Sequence, residues 1–435
     1  MDFFRDTIGR IVEAVQLANL PDWLIHELSE PKDVKEIKVR VLTKRGRETF
    51  MGVRVWQTNP SSTGDVPYKG GLRYMKYPSN GEMIKAVRAL ALDMTLKNVL
   101  YSLPFGGAKG CLNLDPAERG KEELEAITKE LTLELLFNNI LGPGIDVLGP
   151  DSGTNSETMK WIYQQYSRLN IIMHRPSPAA VVTGKPIELG GFPGREDATA
   201  RGGLIVYNEV ARPIKPARFA IQGFGNVGEN VARLLSDEQF RVNGESHKIV
   251  AVSDAFSGVY NSLGLEYSEI AGYYNVNKSF LGCPFGDAIR PEEITQVGEY
   301  DVFVTAAKEE LLNGTNAYKL RTKIVLELGN GAITAEADRI FNDRGVEVIP
   351  DIFANAGGVI VSFFEWRKNL SDVLHKVDLA ELAHWGEEEL SKIMKSCARE
   401  VGKTREEFKC TLRQAAHIAA LRRLETSLSS KHGYN

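Results

Sequence analysis

The sequence predicts an α/β protein of two domains, the second built on a parallel, doubly wound sheet, and three observations carry that expectation. From Arg218 onward, short apolar runs alternate with helical stretches: Arg218 to Gln222, His247 to Ser253, Asp301 to Val304, Lys323 to Glu327 and Val346 to Ile349. That rhythm belongs to βαβ units. Glycines at 184, 190, 191, 194, 202 and 203 crowd one stretch, a density that suits a crossover between domains. Before that stretch the periodicities are of another kind, with a hairpin and long amphipathic helices. The expected division is 1–185 for an N-terminal α/β domain and 186–366 for the doubly wound domain, with helices of 367–435 packing back on the first.

Each element has its own local reason. Phe4, Ile8, Ile11, Val12 and Val15 recur at helical spacing and give one apolar stripe for core or subunit contact. Ile37, Val39 and Val41 alternate with charged residues, as Met51, Val53 and Val55 do after Lys44-Arg45-Gly46-Arg47, so a hairpin is expected. Ser79 and Glu82 have capping-box spacing. They open a helix with Met83, Val87, Leu90 and Met94 on one face and Lys97 near its end. A charged helical stretch runs from about Lys121 to Asn139, and Gly142-Pro143-Gly144 is expected to stop it. Thr334 and Gly345 bracket a helix of the second domain as cap and stop, and beyond Trp366 the chain reads as polar and helical.

Composition narrows the function classes. With 435 residues, 43% hydrophobic and 25% charged, the chain is an ordinary globular protein with ample length to bury a core. A net charge of -4 argues against nucleic-acid or anionic-membrane partners, which call for a basic excess. Asp2 and Arg5 leave no readable secretory signal and no apolar run reaches the roughly 20 residues of a membrane span, so a cytoplasmic protein is expected. Cys111, Cys283, Cys397 and Cys410 are widely spaced, and the histidines show no ligand spacing. Buried reduced thiols and no metal are expected.

Phe219-Ala220-Ile221 leads into Gly223-Phe224-Gly225-Asn226-Val227-Gly228, followed by a helical run through Val231, Leu234 and Leu235. Glycines alone are a weak signal. Flanked by strand and helix, they make a dinucleotide-binding loop: Gly223 for the tight turn, Gly225 for backbone approach to a pyrophosphate, Gly228 for close helix packing. Asp254 ends the next strand and could hold ribose hydroxyls, although it lies farther from Gly223 than the usual roughly 20 residues. The insertion from Asp237 to His247 accounts for the excess. No arginine stands at that strand end, which favours NAD, while Ser253 and Ser257 leave room for a 2′-phosphate and hence NADP.

Three lysines, Lys69, Lys97 and Lys109, suit a small anionic substrate. Lys69 could be no more than a solvated basic turn. Lys109, in Pro104-Phe105-Gly106-Gly107-Ala108-Lys109-Gly110, has apolar and small neighbours that would desolvate its amine and lower its pKa, allowing proton exchange near neutrality. Asp151 is balanced between capping the helix of Met159 and Trp161 and a catalytic role.

Lys69-Gly-Gly-Leu-Arg73, Leu103-Pro-Phe-Gly-Gly-Ala-Lys-Gly110, Gly194-Arg-Glu-Asp-Ala-Thr199, the Gly223 loop, and Pro350-Asp-Ile-Phe-Ala-Asn-Ala-Gly-Gly358 through Ser362-Phe-Phe-Glu-Trp366 occur in one order. In that order the chain resembles the glutamate dehydrogenase branch of the glutamate/leucine/phenylalanine/valine dehydrogenase family, over about residues 10 to 425 and in its short, hexameric form. The resemblance implies a substrate and oligomerisation domain followed by a Rossmann domain, and reversible oxidative deamination of L-glutamate to 2-oxoglutarate and ammonia by a homohexamer using NAD or NADP. It implies that Lys69 and Ser362 bind the γ-carboxylate, Lys97 the α-carboxylate with Met94 beside it, that Lys109 is the acid/base and that Asp151 shuttles the amine proton. Thr199, Gly223, Gly225, Asn226, Val227, Gly228, Asp254, Asn330 and Asn355 would contact the cofactor, Asn355 toward the nicotinamide. Closure across the glycine-rich crossover would bring hydride donor and Cα together.

The chain departs from the family pattern at Ala200, where glycine is usual, at Leu328-Gly329, and at Gly149-Pro150. Two rivals follow: a catalytically weak regulatory subunit of a hetero-oligomer, and a dehydrogenase of apolar amino acids. Apolar-substrate relatives replace the lysine of the Lys-Gly-Gly motif and the late serine with apolar residues, so Lys69 and Ser362 point to glutamate.

Overall fold

In the computed structural model, which describes residues 3–61, 65–173, 177–371 and 378–432, the chain forms two units. One gathers the chain up to Arg195, Val359–Glu388 and the chain from Ala420 onward; the other gathers Glu196–Gly358 and Glu389–Ala419. The division falls after Arg195, and the stretch beyond residue 185 is tied to the first unit by Lys368 Nζ, which donates to Gly191 O at 3.1 Å, and Asn369 Nδ2, which donates to Gly190 O at 3.0 Å. Of the expected C-terminal segment 367–435, Glu389–Ala419 groups with the second unit, and 372–377 and 433–435 lie outside the described residues.

The first unit starts with α1 (Phe3–Ala18) and α2 (Trp23–Ser29), then β1 (Asp33–Thr43), β2 (Gly46–Trp56), β3 (Tyr68–Tyr74), α3 (Asn80–Leu100), β4 (Gly106–Leu112), α4 (Lys121–Phe137), β5 (Asp146–Pro150) and α5 (Ser156–Met173). The strands form one sheet in the order β1-β2-β4-β3-β5. The β1–β2 hairpin is the expected one, with Thr43 opposite Gly46. Ile37, Val39 and Val41 point into a core shared with Leu131, Leu135, Met159 and Ile162 of α4 and α5. Val53, Val55 and Cys111 bury the other face against Met83, Val87 and Ala91 of α3. Ser79 caps α3, its Oγ accepting from Glu82 N at 3.2 Å. Helix α4 ends before the Gly-Pro-Gly stop: Asn139 already turns left-handed at φ 53°, a conformation asparagine tolerates better than most residues.

Two glycine-rich stretches, one of them open to reading as a basic turn, are central strands. Lys69-Gly70-Gly71 lies in β3, paired in parallel with both β4 and β5, and β4 is buried along its whole length. Glycine is required there by proximity. A Cβ on Gly70 would lie 1.5 Å from Ala108 O, and one on Gly107 2.1 Å from Thr95 Oγ1.

The second unit contains α6 (Ala198–Ala211), β6 (Arg218–Gln222), α7 (Asn226–Leu234), β7 (Lys248–Ser253), β8 (Gly258–Leu265), α8 (Tyr267–Asn277), β9 (Asp287–Ile289), β10 (Glu299–Thr305), β11 (Arg321–Glu327), α9 (Ala335–Asp343), β12 (Glu347–Ile349) and α10 (Asp351–Ala354). Sheet order is β12-β11-β10-β6-β7-β8-β9. The first five strands are parallel, and β8 and β9 add an antiparallel edge. That edge escaped the sequence because the middle of β8 is exposed and carries no apolar run. Gly202 and Gly203 belong to α6 rather than to a crossover: a Cβ on Gly203 would meet Leu328 Cδ2 at 2.4 Å, so the departure at Leu328 packs against a helix surface without a side chain. Ala200 lies in the same helix and is absent from the positive-φ residues, so alanine is unstrained there. Three further helices, α11 (Gly357–Leu370), α12 (Leu379–Phe408) and α13 (Leu412–His432), complete the described chain. No described helix is long and apolar enough to cross a membrane.

Candidate active site and nucleotide cleft

In the first unit β3 and β4 place Lys69 and Lys109 on neighbouring strands, both almost fully buried. Beneath them Arg54 grips Asp146 through Nε at 2.7 Å and Nη2 at 2.5 Å, and donates from Nη1 to Gly71 O at 3.1 Å. A buried bidentate pair of this kind fixes geometry, and here it fixes the strand that carries Lys69. Lys69 Nζ donates to Thr183 Oγ1 at 2.7 Å. Burial first, and then the Arg195 guanidinium, bring its pKa down to about 7. Gly149 leaves the space beside that ammonium open, since a Cβ there would sit 3.5 Å from Nζ.

Lys109 pairs with Asp151, and Arg73 Nε donates to the other oxygen of Asp151 at 3.0 Å. Burial lowers the pKa of Lys109 although Asp151 opposes it, and Arg73 adds to the lowering. Burial pushes Asp151 up, but Lys109 and Arg73 outweigh it and hold the carboxyl well below its usual range. Asp151 is not the cap of α5: Asn155 Oδ1 accepts from Glu157 N at 3.0 Å and Thr158 N at 3.1 Å. The ambiguity over Asp151 therefore resolves to an ion-paired carboxylate next to a lysine of lowered pKa.

Lys97 lies in the last turn of α3, one turn beyond the half-buried Met94, and pairs with Asp93 at 2.7 Å. Its charge reaches Lys109, whose pKa it lowers slightly. Ser362, buried on α11, accepts from Arg195 Nε at 3.1 Å. Lys69, Arg195 and Ser362 thus form one interacting group of this unit and Lys97, Lys109, Asp151 and Arg73 another, with Lys69 and Lys109 carried on adjacent strands. Arg195, Thr183, Arg73 and Asp93 are the members the residue-by-residue reading missed. Period-two spacing from Lys69 through Gly71 to Arg73, and helical spacing from Asp93 to Lys97, carry a signal for two of them.

The second unit holds the Gly223–Gly228 loop. Gly223 has φ 98°, and a Cβ on it would lie 2.4 Å from Ala306 O; one on Gly228 would lie 1.8 Å from Gly223 O. Gly225, at the cap of α7, has open space where a Cβ would stand. Together these leave the amides of the α7 N-terminus accessible to an anion. A cleft of about 740 Å³ opens there, lined by Gly223, Gly225, Asp254, Phe256, Tyr274 and Lys308 among others. Asp254 borders it, with Oδ1 accepting from Phe256 N at 2.6 Å and Ser257 N at 2.8 Å, and Oδ2 from Phe280 N at 2.7 Å. Its carboxylate already organises the turn. Asn226 donates to Glu196 O at 2.8 Å. Val227 and Gly228 follow in α7, and Thr199 stands in the first turn of α6, where a Cβ on Gly358 would meet its Oγ1 at 2.7 Å. Asn355 Nδ2 donates to Asn330 Oδ1 at 2.8 Å, while Asn355 Oδ1 is buried and accepts no bond among the described residues. An open glycine, bare helix amides and an orphaned amide oxygen fit a dinucleotide with a carboxamide. The cysteines are free thiols, and no group of three His, Cys, Asp or Glu side chains among the described residues is placed to hold a metal ion.

The sequence profile described as Glutamate/Leucine/Phenylalanine/Valine dehydrogenase matches residues 190–432, and that of the Glu/Leu/Phe/Val dehydrogenase dimerisation domain matches residues 31–168. The chain is 37% identical to a glutamate dehydrogenase of Thermotoga maritima, covering 97% of this chain and 96% of that one. It is 33% identical to a cryptic catabolic NAD-specific glutamate dehydrogenase of Bacillus subtilis, covering 98% and 94%. Its fold matches a hetero-hexameric glutamate dehydrogenase from Thermus thermophilus in a leucine-bound form, with TM-score 0.85 and 30% identity over 99% and 97% of the two chains. The chain belongs to the glutamate/leucine/phenylalanine/valine dehydrogenase family.

Proposed function

We propose that the chain is a glutamate dehydrogenase, catalysing reversible NAD(P)-dependent oxidative deamination of L-glutamate to 2-oxoglutarate and ammonia. One observation carries the choice of glutamate within the family. Lys69 is 3% exposed and has a hydroxyl partner but no carboxylate within ion-pair distance among the described residues. A buried lysine so placed keeps its charge above neutrality only with an anion from outside the protein, and the side chain of glutamate brings one where that of leucine or phenylalanine does not. Arg195 and Ser362 complete the γ-carboxylate clamp, and Lys97, with Met94 on the same face of α3, takes the α-carboxylate.

Lys109 acts as acid/base. Its pKa, lowered by burial, makes its ammonium a readier proton donor than that of an exposed lysine, and the ammonium form stabilises negative charge on a carbonyl oxygen in a site of low dielectric. Asp151, held as a carboxylate by Lys109 and Arg73, shuttles the amine proton without retaining it. Thr199, the Gly223–Gly228 loop, Asp254, Asn330 and Asn355 hold the dinucleotide, which when bound supplies the hydride acceptor at its nicotinamide ring. The assembly is a homohexamer in the cytoplasm. Initial rates for glutamate, leucine and phenylalanine with NAD and NADP test the reading, with subunit mass measured on the same sample. Faster turnover of leucine or phenylalanine, or a homo-oligomer without turnover, would overturn it.

A further inference from the structure

Arg413 stands near the start of α13 and is 3% exposed. Its guanidinium meets carboxylates from three segments of the second unit: Nε donates to Asp338 of α9 at 3.0 Å, Nη2 to Glu327 at the end of β11 at 2.9 Å, and Nη1 faces Asp351 at the start of α10 at 3.6 Å. Burial would lower the pKa of this arginine, but the three acids outweigh it and raise it.

Two of these acids also brace backbone. Glu327 accepts from Ile333 N at 2.9 Å and from Asp351 N at 3.2 Å, and Asp351 accepts from Gly331 N at 2.8 Å and Ile352 N at 2.9 Å. The segments tied in this way, 327–333 and 351–355, carry Asn330 and Asn355. Asn355 Nδ2 donates to both Asn330 Oδ1 and Leu328 O, and Asn355 Oδ1 is a buried acceptor without a partner among the described residues.

We propose that Arg413 is a positioning residue for the nicotinamide end of the cofactor site, acting through Glu327 and Asp351 on the loops that present Asn330 and Asn355. The proposal rests on the reading of those asparagines as cofactor ligands. Glu327 and Asp351 are both buried and both ionisable, and Asp351 N points at Glu327. Without a shared cation the two acids repel, the loops part, and the Asn355 oxygen leaves its place. A planar guanidinium spans three acceptors where a lysine ammonium is a point charge, so Arg413→Lys keeps the charge and loses the geometry.

The test titrates NADH and NADPH binding by fluorescence and measures the glutamate KM for Asn355→Ala, Arg413→Lys and Asp338→Asn, with urea unfolding of each. Asn355→Ala and Arg413→Lys are expected to weaken reduced-cofactor binding by about tenfold, the size of one buried neutral hydrogen bond, with the glutamate KM at saturating cofactor within about twofold. Asp338 is 25% exposed and is bonded to Arg413, so Asp338→Asn is expected to give a smaller loss of the same kind. If Asn355→Ala leaves binding intact, the asparagine assignment fails and the proposal fails with it. If Asn355→Ala loses binding while folded Arg413→Lys retains it, positioning by Arg413 is overturned. Should Arg413→Lys not fold, unchanged cofactor binding in Asp338→Asn overturns it, and so does a rise in the glutamate KM as large as the loss of cofactor binding.

Discussion

Arg195 donates from Nε to the hydroxyl of Ser362 at 3.1 Å, and its charge is the strongest influence after burial on the pKa of Lys69. A second cation near a buried ammonium strengthens the attraction of both for an incoming carboxylate. Arg195→Met is expected to raise the glutamate KM by about tenfold or more, the loss of a charge-assisted bond to a carboxylate, while norvaline, with no distal carboxylate, is little affected. Rates for the two substrates check this, and an equal loss for both would place Arg195 outside the clamp.

Lys69→Leu with Ser362→Val converts the same clamp to an apolar wall. Preference, read as the ratio of kcat/KM for leucine to that for glutamate, is expected to rise steeply, because burying a carboxylate without its partner costs about 3–5 kcal/mol. Unchanged glutamate selectivity would refute the assignment of these two residues.

Lys69 titrates at about 7 instead of 10.5, so the free enzyme carries the ammonium below pH 7 and loses it above. Carboxylate binding needs the charged form. The glutamate KM is therefore expected to climb as pH rises above about 7, with protons taken up on binding at pH 8, which calorimetry in buffers of different ionisation enthalpy reads directly. A folded-state pKa below the unfolded one opposes folding fully below pH 7, and that penalty fades as pH rises toward 10.5. Lys69→Arg should flatten the rise in KM.

Lys109→Ala is expected to abolish measurable turnover and to leave NADH binding intact, because the lysine and the dinucleotide loop belong to different units. Fluorescence titration of NADH separates the outcomes. Loss of cofactor binding would mean that Lys109 serves the nucleotide instead of proton transfer.

Lys185 and Glu365 form a salt bridge with both side chains fully buried. Lys185→Met leaves an unpaired buried carboxylate and is expected to cost about 3–5 kcal/mol in urea unfolding. Adding Glu365→Leu should restore part of that loss, though not all, since Glu365 also accepts from the Gly184 amide. A double variant no more stable than Lys185→Met would show that the amide bonds outweigh the ion pair.

Local chemistry made much of the protein legible before folding. Ser79 caps α3, Thr334 caps α9 and the β1–β2 register closes where the alternation predicted, because each depends on residues a few positions apart. The Gly223 loop was equally readable, since strand, glycines and helix are consecutive. The glycines of β3 left a turn reading open because a turn and a close strand pair both demand the absence of a side chain. Only the paired strand, with Ala108 O against Gly70, tells the two apart.

By itself the sequence determined which groups are present: three lysines, an aspartate, a serine, a dinucleotide loop and the periodicities that make their elements. Tertiary structure decided their states. Asp151 becomes an ion partner of Lys109 instead of a helix cap, Arg195 reaches Ser362 across a long stretch of chain, and the Asp254 carboxylate is occupied by turn amides. The physical reason is that charge state and hydrogen-bond partnership depend on desolvation and on distance through space, and neither is a property of neighbours along a chain.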